Sequence, residues 1–266
     1  MLLEEKVLGA EFTIQAISDG TTVMFPPSTY DYPYRYDGDE GPGTGGMGSL
    51  SMAADILPFM TRAHYEQACT IVEQVIARLR ELGRHFSGVM NSGFFATAEG
   101  VKVIEFNARF GDPECMNIMS LLEGSWSHAM ERICDVQLEA ADVPLRREAS
   151  VVLYLVSPDY ALRAGGPYEF ALDQGAIEAS GCRVFFSAAE SAASASASAS
   201  AEGVYRTIGT SRAVALTATA PELEQARAKV AKAAAHVPVL EWRRDVGSET
   251  YLEGLRDLVA APAGAA

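Results

Sequence analysis

Apolar and polar positions alternate from Phe12 to Ser18, with Phe, Ile and Ala set against Thr, Gln and Ser, and a shorter run from Thr22 to Phe25 follows the pair Asp19-Gly20. A period of two marks a strand with one buried face, and Asp-Gly between two such runs marks a tight turn, so the chain is expected to open on a β-hairpin. The pattern then dissolves. Pro, Tyr, Asp and Gly dominate from Pro26 to Ser51, with six glycines in the eleven residues from Gly38 to Gly48. A loop of that length is expected to carry function as well as connect.

After Thr61 the period becomes that of a helix, with Tyr65, Ala68, Val72, Val75, Ile76 and Leu79 on one stripe that ends near Leu82. Thr61 is suited to cap its first turn and Gly83 to close its last. Gly88 to Thr97 and Val101 to Asn107 read as a strand pair around Glu99-Gly100, followed by a Gly/Asp/Pro turn and one apolar helical stretch from about Cys115 to Ile133. Strands are expected again at Ser150 to Ser157, Arg183 to Ser187 and Ala213 to Ala218, and Pro221 opens a helix with Leu223, Ala226 and Val230 on one face. Strands interspersed with helices predict an α+β or α/β layer structure. Polar residues from Val143 to Glu148 interrupt the pattern and suggest a domain boundary near residue 140, dividing the chain into 1–140 and 141–266. The run 187–202 is nearly pure Ser and Ala and is expected to extend a surface loop.

Composition narrows the class. A chain of 266 residues with 48% hydrophobic and 21% charged side chains can bury its own core, which excludes general disorder and removes the need for disulfide staples. Cys69, Cys115, Cys134 and Cys182 show no CxxC spacing and read as thiols of a reducing compartment. A formal net charge of −14 opposes phosphate backbones and anionic lipid, so neither nucleic acid nor membrane is expected as a partner. No window reaches the roughly 18 apolar residues of a membrane span, and the first ten residues have the wrong order for a signal peptide, which together predict a cytoplasmic protein.

Two segments carry candidate chemistry. Gly43-Thr44-Gly45-Gly46-Met47-Gly48 satisfies the dinucleotide fingerprint literally, but it follows Asp37-Gly38-Asp39-Glu40-Gly41-Pro42 instead of an apolar strand, and Pro58 falls where the helix would run. Its backbone N–H groups are suited to hold a phosphate or carboxylate, and a plain surface turn explains it as well. The second segment is Val103-Ile104-Glu105-Phe106-Asn107-Ala108-Arg109-Phe110-Gly111-Asp112-Pro113-Glu114. On a strand, Glu105 and Asn107 share one face, while Ile104 and Phe106 are expected to enter the apolar layer. A carboxylate and an amide oxygen so placed form one edge of a hard-cation site, with Arg109 nearby for a phosphoryl oxygen. The exposed polar face of an edge strand accounts for Glu-x-Asn equally well. The histidines, His64, His85, His128 and His236, form no motif.

The combination decides. Leu3-Glu4-Glu5, Gly9-Ala10-Glu11-Phe12-Thr13-Ile14-Gln15-Ala16, Tyr36-Asp37-Gly38-Asp39-Glu40-Gly41-Pro42, Thr44-Gly45-Gly46-Met47-Gly48 and Glu105-Phe106-Asn107-Ala108-Arg109-Phe110-Gly111-Asp112-Pro113-Glu114 together resemble the phosphoribosylamine–glycine ligase (glycinamide ribonucleotide synthetase) family of ATP-grasp enzymes. The resemblance is close from Leu3 to about Leu122 and looser beyond Ser150, and Arg243-Arg244-Asp245-Val246-Gly247 resembles the family's terminal segment. It implies an α+β fold: the second lobe of an ATP-grasp fold, mainly antiparallel sheet with packed helices, over 1–140, then a small strand-rich carboxyl-terminal domain over 141–266. It implies Glu105 and Asn107 as ligands of Mg²⁺ or Mn²⁺, Glu4, Glu5, Val7 and Glu11 as ATP-binding, Asp31, Gly45 and Gly46 as substrate-binding, and Arg109 and Asp112 as catalytic. The implied reaction joins glycine to 5-phosphoribosylamine with ATP, by way of a glycyl phosphate, and yields glycinamide ribonucleotide, ADP and phosphate in de novo purine biosynthesis.

The sequence departs from the family at three places, one of them the Ser/Ala run together with Ser157-Pro158-Asp159-Tyr160, which replace a glycine-rich pattern in the terminal domain. It begins at the family's hinge strand, so the activity is expected to need the amino-terminal half, carried by a separate chain or lost to a misplaced start codon. The alternatives are a non-catalytic ATP-grasp remnant serving as an interaction module, and a different carboxylate–amine ligase of the same architecture. The family's usual Lys-Arg pair falls on Pro33-Tyr34, leaving Arg35 as the nearest substitute.

Overall fold

The computed structural model describes residues 6–192 and 203–261. Strand β1 (Ala10–Ser18) turns into β2 (Val23–Met24) at Asp19-Gly20, where Asp19 Oδ1 accepts from the backbone N–H groups of Thr21 and Thr22 and Gly20 takes φ +89°. That is the expected hairpin.

The segment from Pro26 to Ser51, expected as one loop, is more ordered than its pattern predicts. It forms β3 (Thr29–Asp31), β4 (Tyr34–Tyr36), a 3₁₀ turn (Asp37–Asp39), β5 (Glu40–Gly43) and β6 (Gly48–Ser51). Strands of three and four residues are too short to show a period. Inner position compensates for shortness, because β3 and β6 each pair on both edges, and β6 approaches its neighbour so closely that a Cβ on Gly48 would lie 2.6 Å from the Val152 carbonyl oxygen.

Helix α1 (Arg62–Glu81) forms as expected. The Thr61 hydroxyl accepts from the His64 backbone N–H and His64 Nδ1 accepts from the Thr61 backbone N–H, a capping box closed by histidine. Its buried stripe, including Tyr65, Ala68, Val72 and Ile76, packs on β1, β7 (Gly88–Thr97) and β8 (Gly100–Asn107). The stretch expected as one helix divides into α2 (Glu114–Leu121) and α3 (Trp126–Cys134), because Gly124 interrupts the run and Ser125 caps a new first turn.

The remainder comprises β9 (Ala149–Val156), β10 (Glu169–Ala171), α4 (Gln174–Ala179), β11 (Cys182–Phe186), β12 (Ala189–Ser191), β13 (Val204–Thr207), β14 (Arg212–Ala220), α5 (Leu223–Ala234) and α6 (Glu249–Ala260). The Ser/Ala run lies mostly at 193–202, outside the described residues, and its first part is not all loop, since Ala189–Ser191 pairs with β13. No helix among the described residues is long and apolar enough to cross a membrane.

The main sheet is antiparallel throughout, in the order β11-β14-β9-β6-β3-β1-β7-β8, with β2 on β1. It runs across residue 140: β6 pairs with β9, and the main apolar cluster draws residues from both sides of that point. The two faces differ. Phe12, Ile14, Tyr30, Leu50, Val151 and Leu216 belong to that apolar cluster. On the opposite face the register aligns Thr13, Thr29, Ser51, Ser150 and Thr219 in one row across five strands. Helix α2 lies on this polar face, with Asn117 Nδ2 donating to Ser150 O at 3.1 Å and Ser120 Oγ 3.3 Å from Thr217 Oγ1.

Candidate functional site

The polar face opens toward β8, an edge strand of the sheet. Register pairs Glu105 with Gly93 and Asn107 with Asn91, so both donors lie on the face that also carries Glu11, Thr13 and Gln15 of β1. Asn107 Nδ2 donates to Glu105 Oε1 at 2.9 Å, and Gly93 leaves the space before Glu105 without a side chain. A divalent ion would take the two side-chain oxygens in place of that hydrogen bond. Among the described residues no three or more His, Cys, Asp or Glu are grouped to hold a metal. An ion here would therefore be completed by water and phosphate oxygens, the mode suited to Mg²⁺.

The expectation for Ile104 needs correction. A bulge shifts the β7–β8 register between Gly93 and Phe94, and Ile104 Cβ sits 3.5 Å from where a Cβ on Gly93 would stand, on the donors' own face. Ile104 is 42% exposed and does not enter the apolar layer, whereas Phe106, 37% exposed, pairs with Ser92 on the opposite face and sets its ring edge-on to buried Phe94 at 6.3 Å, as expected.

Three further carboxyls gather on the same face. Glu11, exposed on β1, is raised above its ordinary value by partial desolvation of its carboxyl and then by the charges of Asp39 and Glu105. Asp31 is held well above it by burial, with Glu114 adding to the shift. Glu114, the first residue of α2, is raised by burial, against a hydrogen bond from the Asn91 side chain. Around them Gln15 Nε2, Thr29 Oγ1, Asp31 Oδ1, Ser49 Oγ and Asn91 Oδ1 are buried without hydrogen-bond partners. Polar side-chain atoms left without protein partners on one face are available to water or to a polar ligand. The glycines nearby are spatial necessities. Gly46 has φ +100° and a Cβ there would stand 2.4 Å from Asp31 Oδ1, while one on Gly111 would stand 2.4 Å from Asn91 Oδ1.

The other sequence-predicted residues distribute around this face. Arg109 is exposed and donates through Nη1 to the Phe110 carbonyl at 2.9 Å, near enough to Glu114 to lower its proton affinity. Asp112 is half exposed at the mouth, where its Oδ1 accepts from the Tyr154 hydroxyl at 2.8 Å. Gly45 and Gly46 stand beside it, Gly46 within reach of Pro113 and Asp31. Val7 lies in the segment before β1, and Glu4 and Glu5 lie outside the described residues.

Arg35 does not substitute for the family's basic pair on this face. It is buried, donating to Glu241 Oε2 at 2.5 Å and to the Tyr160 and Ser157 carbonyls. The Asp37-Gly38-Asp39 turn, by contrast, meets the other segment noted in the sequence. Arg243 Nη1 donates to Asp39 Oδ1 at 2.9 Å, the Arg244 backbone N–H to Asp37 Oδ1 at 2.8 Å, and the Gly38 backbone N–H to Asp245 Oδ2 at 2.8 Å. Sequence reasoning missed Arg212, Tyr154, Asn91 and Glu114 as members of the site. Glu114 carried a signal, standing inside the quoted motif; Arg212 and Tyr154 carried none, because only the sheet brings them to Asp112.

Residues 1–115 match the family model described as phosphoribosylglycinamide synthetase, ATP-grasp (A) domain. Over 254 residues the chain is 37% identical to the phosphoribosylamine–glycine ligase of Methanothermobacter thermautotrophicus, covering 95% of this chain and 56% of that protein. It is 35% identical over 265 residues to that of Thermococcus kodakarensis, covering 99% and 58%. The crystal structure of phosphoribosylamine–glycine ligase from Thermotoga maritima superposes with a TM-score of 0.73 at 23% identity, over 91% of this chain and 56% of the other, which shows a shared fold. By these matches residues 1–115 carry the ATP-grasp (A) domain of phosphoribosylglycinamide synthetases, and the chain as a whole is similar to phosphoribosylamine–glycine ligases, spanning about half the length of the curated relatives it matches.

Proposed function

We propose that the chain carries the metal-and-substrate side of a site that ligates glycine to 5-phosphoribosylamine at the expense of ATP. The observation that supports this most is the convergence, on one polar sheet face, of Glu105 and Asn107 with Glu11, Asp31, Glu114, Asp112 and the Gly45-Gly46 turn.

In this reading the glycine carboxylate attacks the γ-phosphorus of ATP and ADP leaves. The amine of phosphoribosylamine then attacks the acyl carbon of the glycyl phosphate, expelling phosphate. ATP-grasp ligases use ATP with Mg²⁺ or Mn²⁺, and the ion held by Glu105 and Asn107 would neutralise phosphate charge. Arg109 would add a guanidinium to the phosphoryl oxygens, and Glu11 would border the nucleotide, with Val7, Glu4 and Glu5 on the segment before it. Asp31, Gly45 and Gly46 would line the substrate side, with Asp112 beside the reacting groups. Catalysis would rest on positioning and charge neutralisation, with no activated side-chain nucleophile.

The reading includes the partner expected from the sequence, a separate polypeptide closing over β8. Exposed Val103, Ile104 and Phe106, at 46%, 42% and 37%, support a covering surface there. The test is ADP formation requiring glycine and phosphoribosylamine together, assayed with the chain alone and mixed with a polypeptide supplying the part of its relatives that it does not match. Joint dependence in the mixture, falling about 100-fold in Glu105→Gln, is expected. ATP turnover indifferent to glycine, or no turnover in either sample, contradicts it and leaves the non-catalytic reading.

A further inference from the structure

We propose that Arg212 is a positioning residue of this site: it sets the Gly45-Gly46 turn and the Asp112 carboxylate against each other, acting through them and not on the substrate itself. The inference rests on the reading of Gly45, Gly46 and Asp112 as substrate-side residues.

Arg212 opens β14 opposite Val156, and the register shifts by a bulge before Val214. A bulge at a strand end re-aims a side chain, and here the guanidinium turns toward segments far away in sequence. Its Nη1 donates to the carbonyl oxygens of Gly45, Gly46 and Asp112, the latter two at 3.1 and 3.2 Å, and its Nη2 donates to Asp112 Oδ2 at 2.7 Å. The guanidinium carbon stands 4.3 Å from the centre of the Tyr154 ring, whose hydroxyl donates to Asp112 Oδ1 at 2.8 Å. Both carboxylate oxygens of Asp112 are thereby fixed, one by Arg212 and one by the tyrosine lying under Arg212.

Geometry separates the holder from the held. The Arg212 side chain is 12% exposed, while that of Asp112 is 48% exposed. The arginine thus stands behind the carboxylate it orients. A glycine pair has the most backbone freedom to lose, and a turn built on it keeps one orientation only if its peptide groups are pinned. Drawing the Gly45 and Gly46 carbonyls to one guanidinium fixes which way their peptide planes face; the Gly45 N–H then meets the Tyr160 hydroxyl at 3.2 Å. Lysine offers a point charge without the planar fork and cannot hold these acceptors together.

The experiment compares Arg212→Met and Arg212→Lys with the unaltered chain by amide hydrogen exchange, with no ligand present. Exchange at Gly45 and Gly46 should accelerate at least tenfold in both variants, while α1 amides stay within twofold. Methylguanidinium added to Arg212→Ala should restore slow exchange in part, a rescue that a merely space-filling role would not give. In the ligase assay, KM for glycine or phosphoribosylamine should rise at least tenfold with KM for ATP unchanged. Exchange at Gly45 and Gly46 within twofold of the unaltered chain, or acceleration that spreads equally to α1, overturns the proposal. If the unaltered sample shows no ligase turnover, the functional reading fails by itself and the exchange comparison still decides the role of Arg212; if Arg212→Met does not fold, Arg212→Lys carries the comparison.

Discussion

Replacing Arg243 by methionine should cost about 3 kcal/mol of stability, at the low end of the range for breaking a buried ion pair. Its side chain is fully buried, with Nε 2.8 Å from Asp245 Oδ1, Nη2 2.5 Å from Asp245 Oδ2, Nη1 2.9 Å from Asp39 Oδ1 and 3.2 Å from the Tyr34 carbonyl. Methionine keeps much of the apolar stem but removes every donor, together with the guanidinium whose carbon stands 4.9 and 5.4 Å from the Tyr32 and Tyr251 ring centres. Two carboxylates are then left facing each other without a cation. Asp39 and Asp245 are 35% and 15% exposed, so water relieves part of the penalty, which is why the low end of the range applies. At roughly 2–4 °C per kcal/mol for a chain of this size, the melting temperature should fall by about 6–12 °C. Urea unfolding followed by circular dichroism measures the change. Arg244→Met serves as control, because that arginine reaches Asp37 through its backbone N–H, and the variant should stay within about 0.5 kcal/mol. A loss below about 1 kcal/mol in Arg243→Met, or an equal loss in Arg244→Met, would refute the reasoning that this cation holds the Asp37–Asp39 turn to the carboxyl-terminal segment.

Gly46→Ala should destabilise the chain by about 2–3 kcal/mol, since φ is +100° and the new methyl would stand 2.4 Å from Asp31 Oδ1 and 2.6 Å from Pro113 Cδ; an unchanged denaturation midpoint would show that the turn yields freely. Thr61→Ala should cost about 1 kcal/mol by removing the hydroxyl that caps α1, measured in the same urea titration, with no loss meaning that the cap is redundant. Asp31 predicts a pH dependence. Burial first and Glu114 second hold its folded proton affinity above the unfolded value, so the folded state binds more protons and the contribution to stability, complete below the ordinary carboxylate pKa, is lost as pH rises through the elevated one. Asp31→Asn should therefore gain stability over the unaltered chain as pH climbs from about 4 toward 8, and a difference between the two that stays flat with pH would contradict the shift.

What could be read from the sequence and what could not divide along physical lines. Long periodic segments declared themselves: the α1 stripe with its Thr61 cap, the β7–β8 pair and the opening hairpin all formed where their periods placed them. Short strands did not, because β3 and β6 owe their order to neighbours on both sides and not to their own three or four residues. Helix α6 had no expectation attached, although Leu252, Leu255 and Val259 form its buried stripe. The same contrast holds at the site. Glu105 and Asn107 were legible since a strand's period fixes which face they share, whereas the exposure of Ile104 follows from a bulge that no residue type announces. Arg212 was invisible for a third reason, since its role arises only when β14 brings it to a turn 166 or 167 residues away.

In the proposed site Glu105 and Asn107 jointly hold a divalent ion with the phosphates of a nucleotide. Mn²⁺ binding followed by electron paramagnetic resonance, with and without ATP, tests it most directly. The unaltered chain should bind Mn²⁺ more tightly when ATP is present, and Glu105→Gln and Asn107→Leu should each weaken that binding by about 10–100-fold. Affinity that ignores both substitutions would contradict the claim and leave the pair as the polar face of an edge strand.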